Sequence, residues 1–204
     1  MVAEKIDQCM KPHGSEGIET IKRMNENHKD ISEFAFKCIN VKDSDRILDI
    51  GCGGGVNIEK FLKLTDNNVD GLDYSDVSVA ESIKRNGKAV DEKRCCVIQA
   101  DVSDMPIDNE SYDVATAFET IYFWPDIENT FREVLRIIKP NGQFMIAQGT
   151  DGNHPDDEKW LNTVEGMSVY TAEELERYLL NAGFSGVKSF KKENDYIMVV
   201  IAKK

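Results

Sequence analysis

The fold follows from one segment of the chain, Arg46-Ile-Leu-Asp-Ile-Gly-Cys-Gly-Gly-Gly-Val56. Its first half carries a short apolar run, of the kind that a strand buried on both faces needs. Four glycines within five residues come next, and an apolar periodic segment begins at Val56. We therefore predict a strand, a tight glycine turn and a helix whose first N–H groups point at the turn.

The spacing of the glycines indicates the ligand of this turn. A dinucleotide fingerprint needs a glycine where Val56 stands, and a phosphate loop needs Gly-Lys-Ser/Thr, which the sequence lacks. The pattern that fits is D-x-G-x-G-x-G, at Asp49, Gly51, Gly53 and Gly55. A carboxylate beside the turn repels a pyrophosphate but attracts an ammonium or sulfonium group. The pattern favours a cationic ligand, and the alternative is a purely structural turn.

Length, charge and cysteine content describe an ordinary globular chain. The 204 residues are enough for one domain with a sizeable core. The net charge of −12 argues against a nucleic-acid partner, because phosphate neutralisation requires clustered Lys and Arg. No apolar run reaches the length of a membrane span, and the first residues lack a signal-peptide core. The five cysteines form no C-x-x-C pair. We therefore expect reduced thiols, a cytoplasmic location and no membrane association.

The rest of the chain alternates between apolar strands and amphipathic helices. Further strands are predicted at 68–73, 94–99, 112–118, 143–148, 186–190 and 196–202. Helices are predicted at 15–24 (with Ser15 as a possible cap), 28–39, 76–86 and 127–138, around Trp160, and after the capping box of Thr171 and Glu174. We expect Val79, Ala80 and Ile83 to face inward from one helix, and Leu175, Leu179 and Leu180 from another. The order predicts a doubly wound α/β sheet with an antiparallel strand at one edge.

The second predicted strand ends in an acid, Asp73, 24 residues after Asp49. In nucleotide-binding α/β folds an acid at this place accepts hydrogen bonds from a ribose diol. We assign that role to Asp73, with Tyr74 placed to cover the adenine.

Over residues 42–202 the chain resembles a small class I S-adenosylmethionine (SAM) methyltransferase, of the group related to the ubiquinone and menaquinone biosynthesis enzymes. Four stretches carry the likeness: Ile47-Leu-Asp-Ile-Gly-Cys-Gly-Gly-Gly55, Gly71-Leu-Asp-Tyr-Ser75, Gln99-Ala-Asp-Val-Ser-Asp-Met-Pro106 and Glu133-Val-Leu-Arg-Ile-Ile-Lys-Pro-Asn-Gly142. The resemblance implies a Rossmann-like sheet of seven strands in the order 3-2-1-4-5-7-6, with the seventh strand antiparallel. It also implies one domain, with residues 1–41 as N-terminal helices or a lid and residues 42–204 as the SAM-binding core.

The same resemblance implies a role for each residue of the cofactor site. Asp49 and the loop from Gly51 to Gly55, including Cys52, would face the methionine part of SAM, and Asp73 the ribose hydroxyls. Asp101 would accept from the adenine amino group, with Val102 packed on the ring. Phe118 and Glu119, at the end of the fourth strand, would lie near the methionine part of SAM and the transferred methyl group. The implied product is S-adenosylhomocysteine (SAH), and the displacement needs no metal.

The likeness does not extend to the acceptor. No N/D-P-P-Y/F/W motif follows the fourth strand, so the DNA amino-methylating enzymes are a poor match. We expect a small-molecule acceptor, and a chain that is a monomer or a homodimer. A non-catalytic SAM-binding protein and a nicotinamide-dependent oxidoreductase are the alternatives, although Asp49 and Val56 count against the latter.

A nitrogen or oxygen acceptor would call for a general base. The candidates are His28, Glu119, Tyr122 and His154, and for each histidine the alternative is a solvated surface residue. Cys52 is interpreted as a small buried residue and not as a nucleophile.

The acceptor pocket is predicted from the aromatic cluster Tyr122-Phe-Trp124, which follows the end of the fourth strand. We expect Tyr122 and Trp124 to line the pocket; the alternative is that they anchor the next helix. Met24–Phe36 is predicted to form a lid that helps to shape the acceptor site, with Met24 and His28 at the substrate. The acidic loop Asp151–Glu158 resembles a metal site, but a solvated loop is the favoured interpretation, and no metal is predicted.

Overall fold

A seven-stranded mixed sheet lies at the centre of the described part of the chain, residues 8–204 of this computed structural model. Its strands are β1 (Ile47–Ile50), β2 (Val69–Asp73), β3 (Val97–Gln99), β4 (Tyr112–Phe118), β5 (Ile138–Gln148), β6 (Ser185–Lys191) and β7 (Met198–Lys203). Their order is β3-β2-β1-β4-β5-β7-β6, in which β1 to β5 are parallel and β7 is antiparallel to both of its neighbours. The predicted class and strand order are confirmed.

Helices cover both faces of this sheet. They are α1 (Gly14–Asn27), α2 (Lys29–Cys38), α3 (Val56–Phe61), α4 (Asp76–Arg85), α5 (Gly87–Asp91), α6 (Ile127–Ile137), α7 (Asp157–Thr163) and α8 (Ala172–Ala182), with a 3-10 turn at Ile121–Phe123. The capping box of Thr171 and Glu174 is formed at the start of α8. His13, and not Ser15, is the N-cap of α1. The remaining predictions for helices agree to within a few residues, except for α5, which was not expected.

Side chains of one strand alternate between two cores. In β5, Phe144 and Ile146 join the core beneath α6 and α8. Met145 and Ala147 join the core on the opposite face, beneath α2 and α3. Because both faces are covered, the parallel strands can be apolar throughout, which explains the uninterrupted apolar run of β1.

The inward face of α4 differs from the prediction. Ser78 and Ser82 are buried, whereas Ile83 is 40% exposed and Ala80 is exposed. The reason is close packing against the glycine turn, since a Cβ added at Gly55 would lie 2.5 Å from Ser82 Oγ. Small polar side chains therefore replace the expected apolar ones at this contact.

The expected inner face of α8 is wrong at one position. Leu175 and Leu179 are fully buried, but Leu180 is 49% exposed. Leu180 follows Leu179 directly, and adjacent residues of a helix point in directions about 100° apart.

Candidate cofactor and acceptor sites

A cavity opens over the glycine turn, at the carboxyl ends of β1, β2 and β4. Gly51, Gly53 and Gly55 hold φ angles of 72°, 51° and 73°, in the left-handed region that favours glycine. Gly51, Cys52, Gly53, Asp73, Tyr74 and Phe118 are among the residues that line the cavity. A side chain at position 51 would collide with Thr120, so the turn can pack this closely against Thr120 only because glycine stands there.

Asp73 presents a partly satisfied carboxylate at the rim of this cavity. Gly53 N–H donates to its Oδ2 and Ser75 N–H to its Oδ1, both at 2.9 Å. Burial raises the pKa of Asp73, while these backbone donors act in the opposite direction. A carboxylate has about four lone-pair sites, so each oxygen can still accept one hydroxyl hydrogen bond. The residue fits the predicted role towards a ribose diol.

Asp49 lies beneath the glycine turn and not in the cavity wall. It is 2% exposed and its Oδ1 accepts a hydrogen bond of 2.8 Å from the hydroxyl of Thr116. Burial raises the pKa of Asp49 to about 7. The expectation that this carboxylate faces the methionine part of SAM therefore needs correction. Asp49 lies opposite Thr116 in the register of β1 and β4, two residues before the chain turns, and its side chain is hydrogen-bonded to that neighbour and buried.

The predicted adenine residues line an adjoining cavity at the ends of β2 and β3. Tyr74, Asp101 and Val102 all contribute to its wall. Tyr74 donates its hydroxyl to the carbonyl of Met10 at 2.6 Å, which places the N-terminal segment beside the ring. Asp101 is exposed and accepts from the N–H and hydroxyl of Ser103. These residues fit an adenosine group that extends from Asp73 to the sheet edge.

Trp124 is part of the core and does not line the acceptor pocket that the sequence suggested. Its ring stacks on Phe144 at 6.1 Å and 12° and meets Phe131 edge-on at 6.2 Å. Its Nε1–H donates to Thr120 Oγ1 at 3.2 Å. Trp124 is 8% exposed and touches only the cavity on the adenine side. The anchoring alternative is therefore the arrangement found.

A second cavity, of about 490 Å³, lies beyond Glu119. Its volume is in the range of small-molecule sites, about 300–1,000 Å³. The apolar residues that line it include Met24, Phe123, Trp160, Val164 and Met167. The polar residues that line it include Asn27, His28, Glu119, Tyr122, Thr150, His154 and Asp157. Met24, His28, Glu119 and Phe123 also line the first cavity, so the two cavities meet at these residues.

Glu119 lies where the two cavities meet. Within the described part of the chain, one of its carboxyl oxygens is hydrogen-bonded and the other is not. Its Oε1 accepts from the Tyr122 hydroxyl at 2.9 Å and from the N–H of Gly149. Its Oε2 lies 3.9 Å from His28 Nε2, beyond hydrogen-bond distance. Glu119 also has a φ of 57°, and left-handed backbone at a residue other than glycine is often found at functional sites.

Burial dominates the protonation states around this junction. It raises the pKa of Glu119 to about 7, against the lowering effect of the Tyr122 and Gly149 hydrogen bonds. It lowers the pKa of His28 to about 4, so this imidazole is neutral at pH 7. It raises the pKa of Tyr122, and the neighbouring Glu119 raises it further. Three of the four candidate bases therefore meet at one point, and Glu119 has the pKa suited to proton transfer near neutrality.

His154 and the acidic loop lie on the far side of the second cavity. The His154 ring is 4.7 Å from the ring of Tyr196, and its Nδ1 accepts from Asp156 N–H at 3.0 Å. Asp151 forms an ion pair with Lys191. Asp157 accepts from the Thr150 hydroxyl and from His154 N–H. Within residues 8–204, no group of three or more His, Cys, Asp or Glu is arranged to hold a metal ion.

Several residues of the two cavities were not predicted from the sequence. Gly149 follows β5 directly, and its place at a strand end next to β4 was the available signal. Lys60 lines the first cavity and donates to Ser32 Oγ at 2.6 Å; its signal was weak, because a lysine on a helix is usually solvated. Trp160 and Met167 belong to the segment after β5, and no periodic pattern marked them as lining residues.

Comparison with known proteins gives a consistent set of relatives. Residues 48–146 match the family model described as a methyltransferase domain. The chain is 27% identical over 156 residues to the sterol 24-C-methyltransferase erg6 of Aspergillus fumigatus, covering 72% of this chain and 41% of that protein. It is 28% identical over 149 residues to the 27-O-demethylrifamycin SV methyltransferase of Amycolatopsis mediterranei, covering 70% and 55%. The chain thus spans about half, or less, of the length of these relatives.

Solved structures share the fold at lower identity. A SAM-dependent methyltransferase from Aquifex aeolicus aligns with a TM-score of 0.74 at 18% identity, over 91% of this chain and 97% of that one. The [4+2]-cyclase SpnF aligns with a TM-score of 0.73 at 16% identity, over 86% and 80%. The matched methyltransferase domain and the strand order support a class I SAM-dependent methyltransferase, the class that the sequence resembles. Among the helices of residues 8–204, none is both long enough and apolar enough to cross a membrane.

Proposed function

We propose that this protein transfers a methyl group from SAM to a small-molecule acceptor by in-line displacement. The observation that carries the proposal is the meeting of two cavities at Glu119, one over the glycine turn and one of about 490 Å³. A cofactor in the first cavity and an acceptor in the second would face each other across this junction. Positioning of this kind supplies a large part of the rate of a displacement reaction.

The residues of the first cavity and of the adjoining cavity at the ends of β2 and β3 fit SAM at three points. Asp73 would accept from the ribose hydroxyls, Asp101 and Val102 would hold the adenine, and the loop from Gly51 to Gly55 would adjoin the methionine part. When bound, SAM supplies a methyl group on a sulfonium, which is a good leaving group. Lys60 lines the cavity and offers a positive charge to a carboxylate. We assign the sulfonium to the side of Glu119, where a carboxylate favours positive charge.

The N-terminal helices would act as a lid over both ligands. Met24 and His28, at the end of α1 and the start of α2, line both cavities. The segment before α1 is tied to the rim by two hydrogen bonds, from Tyr74 to the carbonyl of Met10 and from Ser75 to that of Pro12. This supports the assignment of residues 1–41 as a lid on a core of residues 42–204, although residues 1–7 lie outside the described part. Such a cover excludes water from the reacting atoms.

Methyl release measured over a panel of small molecules tests the proposal. We expect SAM to be converted to SAH only when an acceptor is present, with the methyl group recovered on that acceptor. SAM binding without turnover on any member of a broad metabolite panel would favour a non-catalytic SAM-binding protein. The absence of nucleic-acid partners, a cytoplasmic location and a monomeric or homodimeric state stay predictions.

A further inference from the structure

The second cavity has an uneven distribution of charge. Of the described residues that line it, Glu119 and Asp157 are carboxylic acids and none is Lys or Arg. The first cavity, by contrast, includes Lys29 and Lys60 in its wall. An acceptor that carried a carboxylate or phosphate would therefore meet acids and no Lys or Arg among the described residues of the second cavity. Burying such a charge without a partner is costly, so anionic acceptors are disfavoured.

One carboxyl oxygen of Glu119, Oε2, is left free to bind a ligand in the cavities that Glu119 lines. Tyr122 and Gly149 occupy Oε1, and no donor among residues 8–204 lies within hydrogen-bond distance of Oε2. His28, the side chain nearest to Oε2, is uncharged at pH 7 because burial lowers its pKa to about 4. A bound sulfonium close by would lower the pKa of Glu119 and keep it ionised. In that state Oε2 is an anionic hydrogen-bond acceptor that has no cationic partner among residues 8–204.

The apolar residues of the second cavity suit a hydrocarbon or aromatic body. Met24, Phe123 and Met167 offer apolar and polarisable surface, and Trp160 adds an aromatic ring. A ligand that complements both Glu119 Oε2 and the apolar residues carries a cation or a strong hydrogen-bond donor at one end and an apolar body at the other.

We propose, resting on the function proposed above, that the methyl acceptor is an amine on an apolar body, bound as its ammonium form beside Glu119 Oε2. One N–H proton passes to Glu119 and frees the nitrogen lone pair. That lone pair forms the new N–C bond while the C–S bond of SAM breaks and its electron pair stays on sulfur. The products are SAH and the methylated ammonium, and the proton on Glu119 returns to solvent after release.

The test uses the full chain loaded with SAH and three matched sets of probes. Each set shares one body, phenyl, indolyl or octyl, and carries an ethyl-linked amine, the corresponding alcohol or the corresponding carboxylate. Calorimetry with SAH alone comes first, so that a failure of the function proposed above is seen separately. We expect the amine to bind at least about tenfold more tightly than the alcohol in at least one set, with the carboxylate weakest.

Two variants make the result specific to Glu119. Glu119→Gln keeps the shape and should remove most of the preference for the amine, whereas Glu176→Gln, an exposed position on α8, should leave it unchanged. Mass spectrometry after addition of SAM should place the methyl group on nitrogen. The proposal is overturned if SAH binds but no amine of the three sets does, if alcohol or carboxylate binds as tightly as the amine, or if Glu119→Gln retains the preference.

Discussion

At the scale of single residues, Glu119 is a carboxyl group that the fold withdraws from water. Its side chain is 15% exposed, and burial raises its pKa to about 7 from an ordinary value of 4.5. In the folded state His28 and Tyr122, the titratable groups beside it, do not titrate between these values, since the pKa of His28 is about 4 and that of Tyr122 is raised above its usual range. Glu119 therefore binds its proton more tightly in the folded state than in the unfolded one.

This difference makes stability depend on pH in a defined direction. Between pH 4.5 and about 7 the unfolded chain loses the Glu119 proton while the folded chain retains it, so stability falls as pH rises through this window. Glu119→Gln removes the effect, and the variant should gain stability relative to the parent by on the order of 3 kcal/mol between pH 4.5 and 8. Urea unfolding of both ligand-free proteins across this range measures the gain. Asp49 and His28 are present in both proteins, so their own contributions to the pH dependence cancel in the comparison. If the difference in free energy of unfolding between the two proteins is the same at every pH, the pKa of Glu119 is not raised.

Asp73 ties the glycine turn to the end of β2, and it is the assigned partner of the ribose. Asp73→Asn leaves one acceptor oxygen instead of two and introduces donors towards Gly53 N–H or Ser75 N–H. We expect SAM affinity to fall by about tenfold to a hundredfold. Calorimetric titration measures the change, with Asp76→Asn, an exposed position on α4, as the control. Equal affinity of Asp73→Asn and the parent would remove Asp73 from the cofactor site.

Variants of two neighbouring aromatic residues, Trp124 and Phe123, distinguish a role in core packing from a role in acceptor binding. Trp124→Phe should lower the free energy of unfolding by about 1–3 kcal/mol, because the ring loses its bond to Thr120 and part of its stack on Phe144. Its acceptor KM should stay the same. Phe123→Ala should raise the acceptor KM, since Phe123 lines both cavities. Chemical unfolding and steady-state kinetics on both variants measure these changes. A raised acceptor KM for Trp124→Phe together with an unchanged KM for Phe123→Ala would assign Trp124, and not Phe123, to the acceptor site.

At the scale of elements, the contact between the glycine turn and α4 controls the shape of the cofactor cavity. A Cβ at Gly55 would lie 2.5 Å from both Ser82 Oγ and Asn86 Nδ2, and the φ of 73° is itself unfavourable for alanine. Gly55→Ala should therefore cost about 2–4 kcal/mol of stability, from strain and overpacking together. Gly14→Ala is the matched control, with a φ of 60° and open space around it, and should cost about 1–2 kcal/mol. Thermal or urea unfolding compares the two variants. Equal losses of stability would show that the contact between Gly55 and α4 has room for a methyl group.

The same contact shows what sequence reasoning could not supply. Periodicity identified α4 and its length, but it assigned the inward face to Val79, Ala80 and Ile83 because apolar residues usually face inward. Ser78 and Ser82 face inward instead, since the partner of α4 is a glycine turn that leaves no room for larger groups. The partner of a helix face is a property of the tertiary fold, and one sequence alone does not contain it.

At the scale of the whole molecule, the sheet brings strand ends together that are distant in sequence. The predicted order of strands is confirmed, and with it the convergence of the glycine turn, Asp73 and Glu119 at one edge. The sequence could predict this because parallel strands joined by helices all present their carboxyl ends on the same side. It could not predict that Asp49 would lie under the turn, or that α7 and the residues after it would form a wall of the second cavity, because these depend on packing between distant segments.

The central claim is that this edge of the sheet holds SAM, and calorimetry with the purified protein tests it most directly. We expect saturable one-to-one binding of SAM and of SAH, with no heat from NAD. A concentration of SAM about 100 times its dissociation constant should add about 2.7 kcal/mol to stability, seen as a rise in melting temperature. Absence of binding by both SAM and SAH, in a protein whose cooperative unfolding shows it to be folded, would contradict the claim.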